Sequence, residues 1–288
     1  MKDLEEVFGR TMENYQRYQE EMPVLQEFIM GYRWLTAADT KGQLSQALRV
    51  GREKPPEQYE SALRSLIGKT AGRCLEQLFA WGDPEFRTIA VSLLNLLGKP
   101  FNTPERLADR GIQRSEGLRF AYNVKGEKAG IIGYGLYNDF FYGKCAEFHA
   151  FDFRGPKGIL SARIGERETK IYPEGICWHL GANALESSET LDELDIVIMT
   201  GCTIVNDTYR DILKACKKAR IRGIYGPSCE LCPEYLFDLG YNYIFSASVN
   251  NKEDYLKEVF APLPEGNDLY YMDTYELVRG DVNGTQSI

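Results

Sequence analysis

The run Leu194-Asp195-Ile196-Val197-Ile198-Met199-Thr200, continuing into Gly201-Cys202-Thr203-Ile204-Val205-Asn206-Asp207-Thr208, decides the fold. A short apolar run that ends in a glycine turn and passes into a helical pattern reads as a buried strand feeding a helix. The same grammar recurs on both sides. Runs at 128–133 (KAGIIG), 146–153 (AEFHAFDF), 221–226 (IRGIYG) and 241–247 (YNYIFSA) read as strands, with helices at 136–145, 206–219, 233–239 and 251–260. Such alternation predicts a parallel sheet with helices on its faces. Residues 160–172 fit a hairpin, and the last nine residues read as a frayed end.

Upstream the pattern differs. Residues 1–24 form an amphipathic helical pattern with acids early. Two β-capable runs, 27–39 and 43–50, flank Thr40-Lys41-Gly42 and read as a hairpin. Pro55-Pro56 makes 52–58 a loop. Residues 59–97 are mostly helical, broken at Gly82-Asp83-Pro84, and Thr103-Pro104-Glu105 opens a further short helix. The expectation is an α/β chain: a smaller α+β domain over 1–120, then a Rossmann-like, mostly parallel domain over 121–288.

Composition narrows the partners. The 288 residues are 43% hydrophobic, enough for a packed core, and carry a formal net charge of -8. Nucleic acid and anionic membrane surfaces are poor partners for such a chain. No apolar run approaches the ~20 residues needed to span a bilayer, and the N-terminus is acidic where a signal peptide is basic. The expected location is the cytoplasm. Seven cysteines, an odd number in a chain this long, read as reduced thiols. Only two histidines occur, His149 and His179, and His149 reads as a core or sheet-face residue.

In a doubly wound sheet, ligands sit beyond the carboxyl ends of the strands. The first strand is followed by Gly133-Tyr134-Gly135, and the second ends near Asp152, where a Rossmann acid would meet a ribose hydroxyl. The third fingerprint glycine is missing, so a plain tight turn explains the pair as well. After 194–200, Thr200, Thr203, Asn206, Asp207 and Thr208 crowd one strand-to-helix turn. Helix capping needs one such residue, so their number favours a polar ligand. After 221–226 comes Gly226-Pro227-Ser228-Cys229-Glu230-Leu231-Cys232-Pro233. Cys229 and Cys232 stand at C-x-x-C spacing, half of a tetrahedral site. Cys202 is the nearest further thiol, and Cys177 with His179 forms a C-x-H pair that could reach the same rim. Three thiols on one rim suit a soft metal or an iron–sulfur cluster, while small apolar filling is the alternative. Cys74, Cys145 and Cys216 fit that alternative. The P-loop-like ending Ile67-Gly68-Lys69-Thr70 is rejected, because Leu63 stands where the motif requires glycine.

These loops resemble a known family. TGCTIVNDT (200–208), GPS (226–228) and PEYLFDLG (233–240) look like the motifs of the family named for putative heavy-metal chelation, and KAGIIGYG resembles its first strand. The segment from IMGYRWLTAADTKGQLSQAL to Gly98 is similar to the small domain that precedes it, which resembles the N-terminal domain of enolase. The resemblance implies a Rossmann-like domain, metal handling, and a ligand held by Thr200, Gly201, Thr203, Asn206, Thr208, Gly226, Pro227 and Ser228. Cys202, Cys229 and Cys232 depart from the family pattern.

The leading expectation is that a cleft between the two domains binds, and helps assemble or process, a metal-containing or metal-chelating small molecule. Gly133, Tyr134, Gly135 and Asp152 would join the motif residues, with the three thiols holding a metal or cluster. One alternative is an enzyme using a dinucleotide or S-adenosylmethionine on the Gly133–Asp152 loops. Another is a partner subunit of a metalloenzyme. Self-association is left open.

Overall fold

The computed structural model describes residues 1–31, 33–49, 57–156, 161–163, 165–166, 169–171, 173–186, 188–260 and 271–280. Much of the loop expected over 52–58, part of the hairpin expected over 160–172, and residues 281–288 of the expected frayed end lie outside them.

The helix Lys2–Tyr18 leads into an antiparallel sheet of β1 (Leu25–Met30), β2 (Trp34–Asp39) and β3 (Leu44–Leu48), in the order β1-β2-β3. Helices Glu57–Leu66, Ala71–Trp81 and Arg87–Gly98 follow. Thr70 caps the second, its hydroxyl accepting from the Arg73 amide, and Gly82 ends it in the left-handed conformation. Asp83 and Pro84 open a short 3-10 turn, as their order predicts.

The second sheet is built from β4 (Ile112–Glu116), β5 (Lys128–Ile132), β6 (Glu147–Asp152), β9 (Cys177–Leu180), β10 (Ile196–Thr200), β11 (Ile221–Tyr225), β12 (Tyr243–Val249) and β13 (Met272–Arg279). A separate pair, β7 (Ser161–Arg163) and β8 (Thr169–Ile171), is antiparallel and agrees with the expected hairpin. The eight strands run in the order β4-β13-β12-β11-β10-β5-β6-β9. The six from β12 to β9 are parallel, and β13 and β4 close one edge antiparallel. The expected α/β class, with a mostly parallel sheet and a smaller α+β segment, is therefore borne out.

Side chains alternate between two cores, as a sheet covered on both faces requires. Val197, Met199, Ile224 and Ile244 enter one core with the N-terminal helices; Ile196, Ile198, Tyr243 and Phe245 enter the other with Phe120, Tyr137 and Phe141. The five strands read from the sequence are present, but three more were missed. β9 is half-exposed and only four residues long, while β4 and β13 join antiparallel at an edge where the βαβ rhythm has ended. The N-terminal helix expected over 1–24 ends at Tyr18, and two helices beside the second sheet are also shorter than expected. The one placed at 136–145 covers only Asn138–Phe141, closed by Gly143 at φ 69°. The one placed at 206–219 covers only Tyr209–Ala215, set apart from a preceding helical turn, Cys202–Val205, by Asn206 and by Asp207 at φ 62°. Among the described residues no helix is long and apolar enough to cross a membrane.

Candidate functional site

The chain proceeds from β5 through β6 to β9 in one direction across the sheet, then returns to lay β10, β11 and β12 on the other side of β5. The crevice beyond the carboxyl ends of β5 and β10 is thus the switch point of the topology, where open α/β sheets bind ligands. A cavity of about 390 Å³ opens there. Ile132, Gly133, Tyr134, Phe151, Asp152, Phe153, Arg154, Thr200, Cys202, Thr203, Asn206 and Tyr225 line it from the sheet, Ala184 and Leu185 from the loop after β9, and Arg33 and Leu48 from the small sheet.

Each strand end is held by specific bonds. Gly133 sits at φ 86°, and a Cβ there would lie 2.7 Å from Cγ2 of Thr200, so neither the conformation nor the space admits a side chain. The Tyr225 hydroxyl donates to the Gly133 carbonyl, stapling β11 to the β5 turn across β10. Burial pushes the Tyr225 phenol up, reinforced by Cys202 and Asp152, so it stays a donor at neutral pH. Asp152 is buried, and its two oxygens accept from the Tyr134 amide (3.0 Å), the Arg154 amide (2.8 Å), Arg154 Nε (2.9 Å) and Arg154 Nη2 (2.6 Å). Arg154 Nη2 also donates to the Tyr134 carbonyl at 3.0 Å. One carboxylate thereby fixes the loops after β5 and β6 and sets a half-exposed guanidinium on the cavity wall.

In the loop after β10, Thr203 Oγ1 donates to the Thr200 carbonyl (2.7 Å), and Asn206 Oδ1 accepts from the Thr208 hydroxyl (2.7 Å) and amide (3.3 Å). Thr200 Oγ1 donates to Cys202 Sγ at 3.2 Å. Several of the polar groups expected to meet a ligand are therefore engaged in shaping their own turn. Thr200, Thr203 and Asn206 line the cavity; Gly135, Thr208, Gly226, Pro227 and Ser228 do not. Gly201 packs against the next loop, where a Cβ would meet the Cys229 amide nitrogen at 2.9 Å. Gly226-Pro227-Ser228 faces the small sheet. The Leu48 amide donates to Ser228 Oγ at 2.9 Å, and Asn95 Nδ2 bridges the Gln46 and Pro227 carbonyls. β3 is thus pinned across the strand ends, and its last residue, Leu48, lines the cavity.

The thiols take separate partners. Cys229 is buried and its Sγ donates to the Gly226 carbonyl at 3.0 Å, while buried Cys232 Sγ donates to Glu234 Oε2 at 3.1 Å. Burial pushes Cys202, Cys229 and Cys232 up, away from the thiolate form that binds metals. Cys177 and His179 lie on the edge strand β9, three strands from β10. Among the described residues no group of three or more His, Cys, Asp or Glu side chains is placed to hold a metal ion. As they stand, the rim thiols do not fit a metal or cluster. Sequence reading missed Arg154, Arg33, Tyr225, Phe151 and Leu48. Arg154 was open to sequence reading once Asp152 was placed at a strand end; Arg33 was not, because the run 27–39 that contains it breaks there into β1 and β2.

No curated protein matches the chain by sequence. Its fold is similar to two solved structures described as proteins of unknown function from the DUF364 family. One, from Desulfitobacterium hafniense DCB-2, is 16% identical, with 97% of this chain and 99% of that chain covered and a TM-score of 0.66. The other, from Pyrococcus horikoshii, is 20% identical, with 95% and 98% covered and a TM-score of 0.60. The resemblance read in the strand-end loops is borne out: residues 166–263 match the DUF364 family model, described as "Putative heavy-metal chelation", and the chain as a whole shares the fold of that family's solved members.

Proposed function

We propose that the cavity at the β5–β10 switch point binds a small anionic chelator, one bearing carboxylate or phosphate groups, alone or with its metal. The observation that carries this reading is the Arg154 guanidinium, held on the cavity wall by a buried carboxylate already filled by four donors. Arg33 lines the same cavity from the small sheet. With Nε and Nη2 of Arg154 engaged by Asp152 and the Tyr134 carbonyl, its Nη1 hydrogens and charge would meet a carboxylate or phosphate oxygen, with the Arg33 guanidinium adding a second positive charge. The apolar walls of Ile132, Phe151, Leu48 and Leu185 would exclude water around the ligand. The cavity then lies where the proposed 1–120 and 121–288 domains meet. A bound metal would be held by the chelator rather than by rim thiols, which agrees with the family's description without a protein metal cage.

A nucleotide-type cofactor draws less support. Asp152 has no acceptor position left for a ribose hydroxyl, and Gly135 does not line the cavity.

The test is calorimetric titration of citrate and of inorganic phosphate, each with and without an equivalent of Zn²⁺, into the full chain and into Arg154→Ala. Binding of either anion that weakens at least tenfold in the variant supports the reading. Equal binding to both proteins, or none at millimolar concentration, overturns it.

A further inference from the structure

We propose that His149 and His179 form the nitrogen pair of a divalent-cation site on the face of the sheet at its β6–β9 edge, with the exposed thiol of Cys177 as third ligand and solvent completing the shell. These are the chain's only histidines, and the fold brings their rings together. In the β6–β9 register Phe151 lies beside His179 and His149 beside Cys177, so all three candidate ligands share one face. His149 Nδ1 lies 3.1 Å from His179 Nε2. Two nitrogens bound tetrahedrally to one cation at ~2.0–2.1 Å stand roughly 3.3 Å apart, so the pair is already at ligand spacing.

The surroundings prepare the rings. The His179 ring stacks on Phe151, centroids 4.3 Å apart and nearly parallel, and on His149 at 5.4 Å. Glu147 Oε2 lies 3.3 Å from His149 Nε2. A carboxylate there holds the hydrogen on Nε2 and leaves the Nδ1 lone pair facing His179, the outer-shell arrangement usual for metal-bound histidine. The His149 side chain is 12% exposed while Cys177 is exposed, so solvent reaches the site from the Cys177 side. It is incomplete as it stands, since no three-residue metal group exists among the described residues. Metal entry would move the His179 hydrogen from Nε2 to Nδ1, turn the Cys177 side chain inward and release its thiol proton to solvent. Imidazole and thiolate together favour Zn²⁺ or a similar borderline cation over Mg²⁺ or Ca²⁺. None of the three ligands lines the switch-point cavity, although His179 stacks on Phe151 of its wall, and the site does not depend on that cavity's ligand.

With only two histidines, the untagged wild-type chain reports on the site directly. Long-range ¹H–¹⁵N spectra of the imidazoles, recorded during Zn²⁺ titration, should show metal-type shifts at Nδ1 of one ring and Nε2 of the other, complete at one equivalent. Co²⁺ should give a tetrahedral visible spectrum with a thiolate charge-transfer band. Cys177→Ser should lose that band, and His179→Gln should bind Zn²⁺ at least tenfold more weakly. Ring signals that do not respond to Zn²⁺, or a charge-transfer band that survives in Cys177→Ser, would overturn the proposal. The ring spectra need no variant to fold, and citrate binding plays no part in them.

Discussion

Asp152 receives the Nε and Nη2 hydrogens of Arg154 at 2.9 and 2.6 Å while its remaining acceptor positions take the amides of Tyr134 and Arg154. The carboxylate is thus a fastener for two loops and an orienter of one guanidinium. Replacing it with alanine leaves two amides and a guanidinium without their acceptor. Asp152→Ala should lower unfolding free energy by about 1–3 kcal/mol and also weaken anion binding. Arg154→Lys keeps a charge but not the fork that Asp152 holds, so it should lower stability less than Asp152→Ala while losing the fixed placement of the cation, and with it anion binding. Urea unfolding and citrate titration on both variants check this. An Asp152→Ala protein of wild-type stability would mean that the carboxylate faces a ligand instead.

The two glycines of Gly133-Tyr134-Gly135 carry different burdens. Gly133 combines φ 86° with a Cβ position 2.7 Å from the Thr200 side chain, whereas nothing lies within 4 Å of a Cβ on Gly135. Gly133→Ala should cost about 1–3 kcal/mol and disturb the Thr200 wall of the cavity. Gly135→Ala should fall within about 0.5 kcal/mol of wild type. Thermal unfolding of the pair decides the matter, and similar losses in both would refute this account.

How far the sequence carried this reading depended on whether a feature was local. The strands β5, β6, β10, β11 and β12 were legible because each is a compact apolar run closed by a turn. β4 and β13 were not, since β13 is an amphipathic strand whose membership in the sheet follows from long-range pairing to β12. The same divide runs through the site. Gly133, Asp152, Thr200 and Asn206 were found because they end or follow strands; Arg154 was passed over although it stands two residues beyond Asp152. Ser228 entered as a ligand contact only through the family resemblance, and a turn hydroxyl suits a ligand and a neighbouring chain segment equally well. Its actual partner, the Leu48 amide, lies 180 residues away and no local pattern shows it. The histidine pair was hidden for a like reason, as His149 and His179 meet only through the β6–β9 register.

Ser228 also yields a prediction of its own. It is 1% exposed, and its hydroxyl is the acceptor for the amide at the end of β3. Ser228→Ala should therefore lower stability by about 1–2 kcal/mol through the orphaned Leu48 amide. Because the residue does not line the cavity, citrate affinity should change less than threefold at temperatures where the variant is folded. A variant of normal stability that no longer binds would assign Ser228 to the ligand rather than to the clamp between the sheets.

Acid should loosen the site from its far side. Asp3, in the first helix, pairs with Arg87 at the start of helix Arg87–Gly98, and both side chains are 7% exposed. Arg87 Nε donates to the Ile204 carbonyl at 2.8 Å and Nη2 meets Asp207 at 3.1 Å, so the pair anchors the loop after β10. Burial alone would raise the Asp3 carboxyl. The hydrogen bonds and charge of Arg87, with the Tyr209 hydroxyl and the N-terminal ammonium, outweigh it and hold Asp3 well below its ordinary 3.8. A carboxyl depressed in the folded state adds stability above its unfolded value, and that stability is lost as pH falls toward the folded one. The wild type should thus be steady from pH 7 to about 5 in this respect and lose stability progressively below about pH 4. Asp3→Asn should be less stable than wild type at pH 7, because Arg87 stays buried without its principal partner, and the gap should narrow on acidification. Urea midpoints at pH 7, 5, 4 and 3 for the two proteins test this, and a gap that stays constant down to pH 3 would show that the Asp3 charge contributes nothing to the anchor.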